Sequence, residues 1–244
     1  MKIYLAGTSP DNLRKLEQKA NILESFAYMK KHKKDIHLLL RNNFMLDSGA
    51  FTFIGDKKTK INWRIYTEEY AKFINENNIE LFFELDIYSV IGTKETENLR
   101  TSIESMTNKK SIPVWHIFLG IDYYKWMVKN YDYIAIGASG RHDSKWTRTN
   151  PEKLKALVQY AKKRGTKVHG LGYTVMKTLK EIPFHSVDST TWQHNGHRFG
   201  KIYKFTGNGM KNIHPKKNVK NKNGLIDHNF KEWVKFQSYA ESNL

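Results

Sequence analysis

The sequence predicts an α/β fold, a single (β/α)8 TIM-like barrel, on three observations. Short β-branched, apolar runs alternate with longer helical patterns, the sequence signature of parallel strands with helices outside. The chain has 244 residues, close to the about 250 that such a barrel takes. No internal repeat or linker divides it, so residues 1–244 are expected to form one domain.

Taken in order, strands are expected at 2–6, 44–47, 80–87, 112–118, 133–137, 167–171 and 184–188, with the eighth at either 36–40 or 201–205. Helices are expected near 11–33, 65–77, 94–106, 122–130, 151–164 and 174–181. Ser9-Pro10-Asp11, Thr67 before Glu68-Glu69, and Asn150-Pro151-Glu152 put a cap or a proline where a first helical turn favours one. Gly165 after Lys162-Lys163-Arg164 reads as a helix stop, with cations placed to suit the helix dipole. Composition changes near residue 189. From Ser189 to Ile226 there is no acidic residue, and the glycines at 196, 200, 207, 209 and 224 make this basic segment loop-like. A last helix at 228–241 carries Phe230, Trp233, Val234 and Phe236.

The chain contains no cysteine, which excludes a disulfide framework, a thiolate zinc site and a cysteine nucleophile, and fits a reducing cytoplasm. The apolar run of Met1–Ala6 is too short for a signal peptide, and no apolar stretch nears the ~18 residues of a membrane span. A soluble, cytoplasmic protein without a membrane partner is therefore expected. Forty-one Lys and Arg against 24 Asp and Glu leave a net charge of +17, which points to a polyanionic partner, nucleic acid first.

Against that basic background, Asp47, Asp86 and Asp188 each lie at the C-terminal end of an expected strand. Those ends converge on one face of a parallel barrel, where barrel enzymes carry their sites. A lone Asp after a strand is more often a turn former. Three together suit glycosidic chemistry, hydrogen bonding to a base, or Mg²⁺. Glu84, two residues before Asp86, should face the same way, deeper in the barrel. His116 reads either as a core histidine or as a hydrogen-bond donor. His185, His194 and His197 read as polar residues rather than metal ligands, so no metal or other cofactor is expected.

Asp47-Ser48-Gly49-Ala50-Phe51 resembles the Asp-Ser-Gly-Gly-Phe/Tyr motif of the tRNA-guanine transglycosylases, departing from it at Ala50 and Thr52. Four segments follow in the order of that family: Phe83-Glu84-Leu85-Asp86, Pro113-Val114-Trp115-His116, Ile134-Ala135-Ile136-Gly137-Ala138 and His169-Gly170-Leu171-Gly172. Val187-Asp188-Ser189 then stands where the family has its nucleophile. The zinc subdomain of that family uses three Cys and one His, so without cysteine it is expected to be missing or rebuilt, and the chain is much shorter than a bacterial tRNA enzyme. Both features resemble the phage-type DNA-guanine transglycosylases, which would place the protein in a bacterial host's cytoplasm. The resemblance implies exchange of guanine in DNA for a free 7-deazaguanine base, with tRNA as the alternative partner. A non-catalytic nucleic-acid-binding protein and a Mg²⁺-dependent hydrolase remain as rival readings. Under the resemblance, Asp188 is the nucleophile, Asp47 the general acid/base, and Asp86 the acceptor for the donors of guanine. The base pocket takes in Ser48, Gly49, Phe51, His116, Gly137, Ala138, Gly170, Gly172 and Tyr173, with Tyr88 as a further stacking candidate. Arg141, Lys145, Arg148, Arg198, Lys216, Lys217 and Lys220 would meet phosphates, while Trp146 or Trp192 would fill the gap left by an extruded base.

Overall fold

The computed structural model describes residues 1–53, 61–138, 141–173, 175–213 and 222–244, with the backbone alone at 141 and 142. Seven parallel strands form one sheet: β1 (Lys2–Ala6), β2 (Asn21–Ser25), β3 (Asn43–Asp47), β4 (Val114–Trp115), β5 (Tyr133–Gly137), β6 (Lys167–Leu171) and β7 (Ser186–Ser189). Their order is β3-β2-β1-β7-β6-β5-β4. Residues 81–84 bridge the two edges. Leu46 N donates to Leu81 O and Phe83 N to Leu46 O, both at 2.9 Å. On the other side Ile112 N donates to Phe82 O at 2.8 Å and Glu84 N to Ile112 O at 3.1 Å. The sheet thus curls onto itself as a TIM-like α/β barrel, the expected fold class.

Successive residues divide between the two faces of the curled sheet. Tyr4, Ala6, Leu23, Met45, Phe83, Ile112, Val114 and Ala135 form the small cluster that fills the barrel. Their neighbours Ile3, Leu5, Ile22, Leu46, Phe82, Trp115, Ile134, Ile136, Val168 and Val187 belong to the larger cluster packed under the helices.

The helices are α1 (Pro10–Arg14), α2 (Phe26–Met29), α3 (Ile36–Leu40), α4 (Trp63–Glu76), α5 (Tyr88–Ile91), α6 (Thr93–Thr107), α7 (Gly120–Asn130), α8 (Arg141–Thr149), α9 (Pro151–Lys162), α10 (Met176–Leu179), α11 (Thr191–Phe199) and α12 (Lys222–Asn243). Asn62 caps α4 by accepting from Arg64 N and Ile65 N, and Pro151 opens α9. On α12, Gln237 donates to both Ile3 O and Asn21 O at 2.7 Å, which fastens the helix to β1 and β2. Among the described residues no helix is long and apolar enough to cross a membrane.

Three expectations need correction. The eighth stave is β2, inside the stretch expected as one long helix; 36–40 is α3, and 202–205 is β8 (Ile202–Phe205), paired antiparallel with β9 (Met210–Ile213) outside the barrel. The basic segment is less loop-like than its glycines suggested, since α11 and the β8–β9 hairpin occupy much of it. Glu84 turns away from the barrel interior. With Phe83 facing inward, Glu84 lies buried against α6, where Arg100 Nη1 meets its Oε2 at 3.1 Å. Val114 N (2.6 Å) and Tyr88 OH (2.8 Å) donate to its other oxygen. Burial raises Glu84 to about 7 even with the Arg100 guanidinium opposing it.

Removing one member of such a pair leaves a buried charge uncompensated. Arg100→Met is therefore expected to cost about 3–5 kcal/mol at pH 8, read from the urea midpoint. Adding Glu84→Gln should recover most of that loss. A double variant no more stable than Arg100→Met would overturn this account.

Candidate active site

Asp47 ends β3 and stands partly exposed at the barrel mouth, held by the backbone N–H groups of Ser48 and Gly49. The turn that follows needs a glycine. Gly49 has φ +71°, and a Cβ there would strike Ser25 Oγ and Ala27. Burial, then the charges of Asp86 and Asp188, push Asp47 up to about 7. The same electrostatic coupling shows that the three strand-end carboxylates share one mouth. Glu24, at the end of β2, joins them: burial and Asp47 raise it to about 7, against a hydrogen bond from Ser25 N at 2.8 Å.

Asp86 adopts φ +51°, a left-handed conformation that Asp tolerates better than most residues and that costs on the order of 1 kcal/mol. This break in the strand ends its alternation and lets Asp86 meet His116 Nε2 at 2.6 Å. The other ring nitrogen, Nδ1, lies 2.9 Å from Asp143 Oδ2. Carboxylates facing both nitrogens call for hydrogen on each, an imidazolium. Burial alone would lower His116, but Asp86 and Asp143 hold it up at about 10. Asp86 itself is raised by burial, with His116 acting in the opposite direction. Gly137 makes room for the ring, since a Cβ there would come within 2.7 Å of His116 Cε1 and Nδ1. Phe118 stacks on the ring (5.4 Å, 11° between planes) and is 58% exposed.

Asp188, on β7, is buried. His169 Nε2 (3.1 Å) and Gly172 N (2.5 Å) both contact its Oδ1. Gly172 turns with φ +73° to bring its N–H round.

The structure therefore brings together Asp47, Asp86, Asp188, Gly49, His116, Gly137 and Gly172, with Phe51 62% exposed just beyond Asp47. Other expected site residues serve the frame instead. Ser48 is buried, its hydroxyl bonded to Leu85 O and Ala50 N, so it ties the turn to the neighbouring segment. Ala138 N donates to Leu171 O at 2.9 Å and is not available to a base. Tyr173 is buried with its hydroxyl 2.6 Å from Thr178, and Gly170 admits its close packing with Phe184. Tyr88 is buried on Glu84.

Trp192 cannot fill a gap in DNA. It is wholly buried, its indole N–H donating to Ala6 O and its ring packed on Phe230, because α11 turns that face onto α12. Trp146 is half-buried, edge-on to Trp115 at 6.0 Å. Lys145 and Arg148 are exposed on α8, and Arg198 on α11. The side chain of Arg141, and Lys216, Lys217 and Lys220 entirely, lie outside the described residues. His194 and His197 sit exposed on α11, after β7, whereas His185 precedes that strand at the opposite end of the barrel. Burial and Lys167 lower His185 to about 4. Among the described residues no group of three His, Asp or Glu is arranged to hold a metal.

Four participants escaped the sequence reading: Glu24, Asp143, Phe118 and His169 as a partner of Asp188. Asp143 had a signal, as the single acid in the basic run from Arg141 to Arg148.

No family model and no curated protein matches this sequence. Among solved structures, a proposed fructose-1,6-biphosphate aldolase from Coccidioides immitis superposes with a TM-score of 0.56. The match covers 99% of this chain and 90% of that one, at 9% identity. The likeness is one of fold alone.

Proposed function

We propose that the protein is an enzyme, a guanine transglycosylase that exchanges guanine in DNA for a 7-deazaguanine base without a cofactor. The observation that supports this most is the unequal setting of the carboxylates around one mouth. Asp47 is raised to about 7, where it can both give and take a proton near neutrality. Asp188 instead has its Oδ1 held by two N–H donors. Asp86 leaves Oδ2 to accept from N1–H and N2–H of guanine, since Oδ1 is on His116. The exposed rings of Phe118, stacked on His116, and of Phe51, shortly after Asp47, offer stacking faces.

In the first displacement an Asp188 oxygen bonds to C1′ as the C1′–N9 bond breaks, and Asp47 gives its proton to the departing guanine. In the second, Asp47 takes a proton from the incoming base, whose N9 displaces Asp188 from C1′. The bond electrons return to the carboxylate.

The test is incorporation of labelled guanine into duplex DNA and into tRNA, side by side. Incorporation into DNA, weakening steeply with salt as phosphate contacts require, is the expected result. Incorporation into tRNA alone overturns the DNA assignment. Binding without incorporation into either overturns the enzyme reading.

A further inference from the structure

We infer that Tyr133, Ser186 and His169 form a one-way chain of hydrogen-bond donors through the barrel that fixes Asp188 by one oxygen and presents the other for attack. The inference rests on reading Asp188 as the nucleophile. His169 is fully buried on β6, directly opposite Ser186 in the β6–β7 register. Its Nδ1 lies 2.5 Å from Ser186 Oγ and its Nε2 3.1 Å from Asp188 Oδ1. Tyr133 OH, from the start of β5, lies 2.5 Å from the same Ser186 Oγ. The chain thus runs from the N-terminal end of the barrel to its mouth. The rings of Tyr4 (6.1 Å, 67°) and Phe83 (5.2 Å, 61°) stand edge-on to the imidazole and fix its plane.

The chemistry of the groups sets the direction of every link. A carboxylate only accepts, so Nε2 carries the hydrogen. In a neutral ring Nδ1 is then an acceptor, and Ser186 gives it the single hydroxyl hydrogen it has. The Ser186 oxygen in turn accepts from Tyr133. Donors aligned in this way polarise one another, and all of them end on Asp188 Oδ1. His116 differs: it stands between two carboxylates, where His169 meets one carboxylate and one hydroxyl.

Gly172 N–H adds a second donor to the same oxygen. Among the described residues no hydrogen bond reaches Oδ2, which leaves the less engaged oxygen for attack on C1′. Rotation of the carboxylate about its terminal bond would exchange the two oxygens, and the pair of donors on Oδ1 opposes it. No proton moves along the chain in either displacement, so these are positioning residues.

Two measurements test this. Histidine ¹⁵N spectra of the wild-type protein at about pH 8, with His169 assigned by the resonance lost in His169→Gln, should show hydrogen on Nε2 and none on Nδ1. An imidazolium or an Nδ1–H tautomer overturns the chain. In single-turnover experiments without incoming base, His169→Leu should slow formation of the covalent DNA adduct about 10²-fold while leaving DNA affinity unchanged. His169→Gln, which can put an N–H near the place of Nε2, should come back to within about tenfold of wild type. Equal rates for Leu, Gln and wild type overturn the inference while the nucleophile reading stands. A wild-type protein that forms no adduct overturns that reading instead, and the spectra still decide the direction of the chain.

Discussion

Asp188→Asn is expected to lower base exchange by about 10⁴-fold or more and to abolish the covalent DNA adduct. The amide matches the carboxylate in size, and its oxygen can keep the N–H donors now on Oδ1 from His169 and Gly172. The barrel around β7 and the phosphate contacts should therefore be unchanged. What is lost is the anionic oxygen, because an amide NH₂ in the place of Oδ2 has no lone pair free to attack C1′. The contrast between intact binding and absent chemistry carries the test. It is read from DNA affinity, thermal melting and denaturing electrophoresis of the trapped adduct. An Asp188→Asn protein that still exchanges guanine removes Asp188 as nucleophile. One that fails to melt cooperatively shows a structural role instead.

Much of the site was legible because a parallel barrel gathers its strand ends. Once the runs ending in Asp47, Asp86 and Asp188 read as strands, the three carboxylates had to meet. Strand β2 was hidden by its own burial. Ile22 faces the helices and Leu23 the barrel interior, so both are apolar and no alternation marks the strand. Leu13, Leu16, Ala20 and Leu23 also fall at helical spacing, and Glu24 was lost with the strand that carries it. The burial of Trp192 is hidden for a related reason: in a glycine-rich basic stretch its partners are on α12, 38 positions away at Phe230, where no local pattern points. Local sequence cannot show which polar groups are already engaged. That the Ala138 N–H belongs to the sheet, and that both His116 nitrogens face carboxylates, are facts of tertiary contact.

Replacing Asp47 should produce opposite effects on stability and on activity, and both depend on pH. Its carboxyl is raised from 3.8 to about 7 in the folded protein, so the unfolded chain ionises first as pH rises. A group of this kind contributes fully to stability below its unfolded pKa, and the contribution is lost as pH climbs through the folded value. Asp47→Asn, which keeps an acceptor for Ser48 N and Gly49 N but cannot ionise, should match wild type near pH 4. At pH 8 it should exceed wild type by on the order of 3 kcal/mol, a figure that allows for the partial exposure of the site. Activity should move the other way. Protonation of the leaving guanine requires the acid form of Asp47, so the wild-type rate of adduct formation should fall as pH rises through about 7. The Asn variant should lose about 10²- to 10⁴-fold and show no such limb. Glu24 titrates in the same range beside it, which makes Glu24→Gln the necessary control. If Glu24→Gln flattens the limb and Asp47→Asn retains it, the acid is Glu24, and Asp47 only shapes its field. If Asp47→Asn flattens the limb while gaining stability only at high pH, one partly buried carboxyl both weakens the fold and performs the proton transfer.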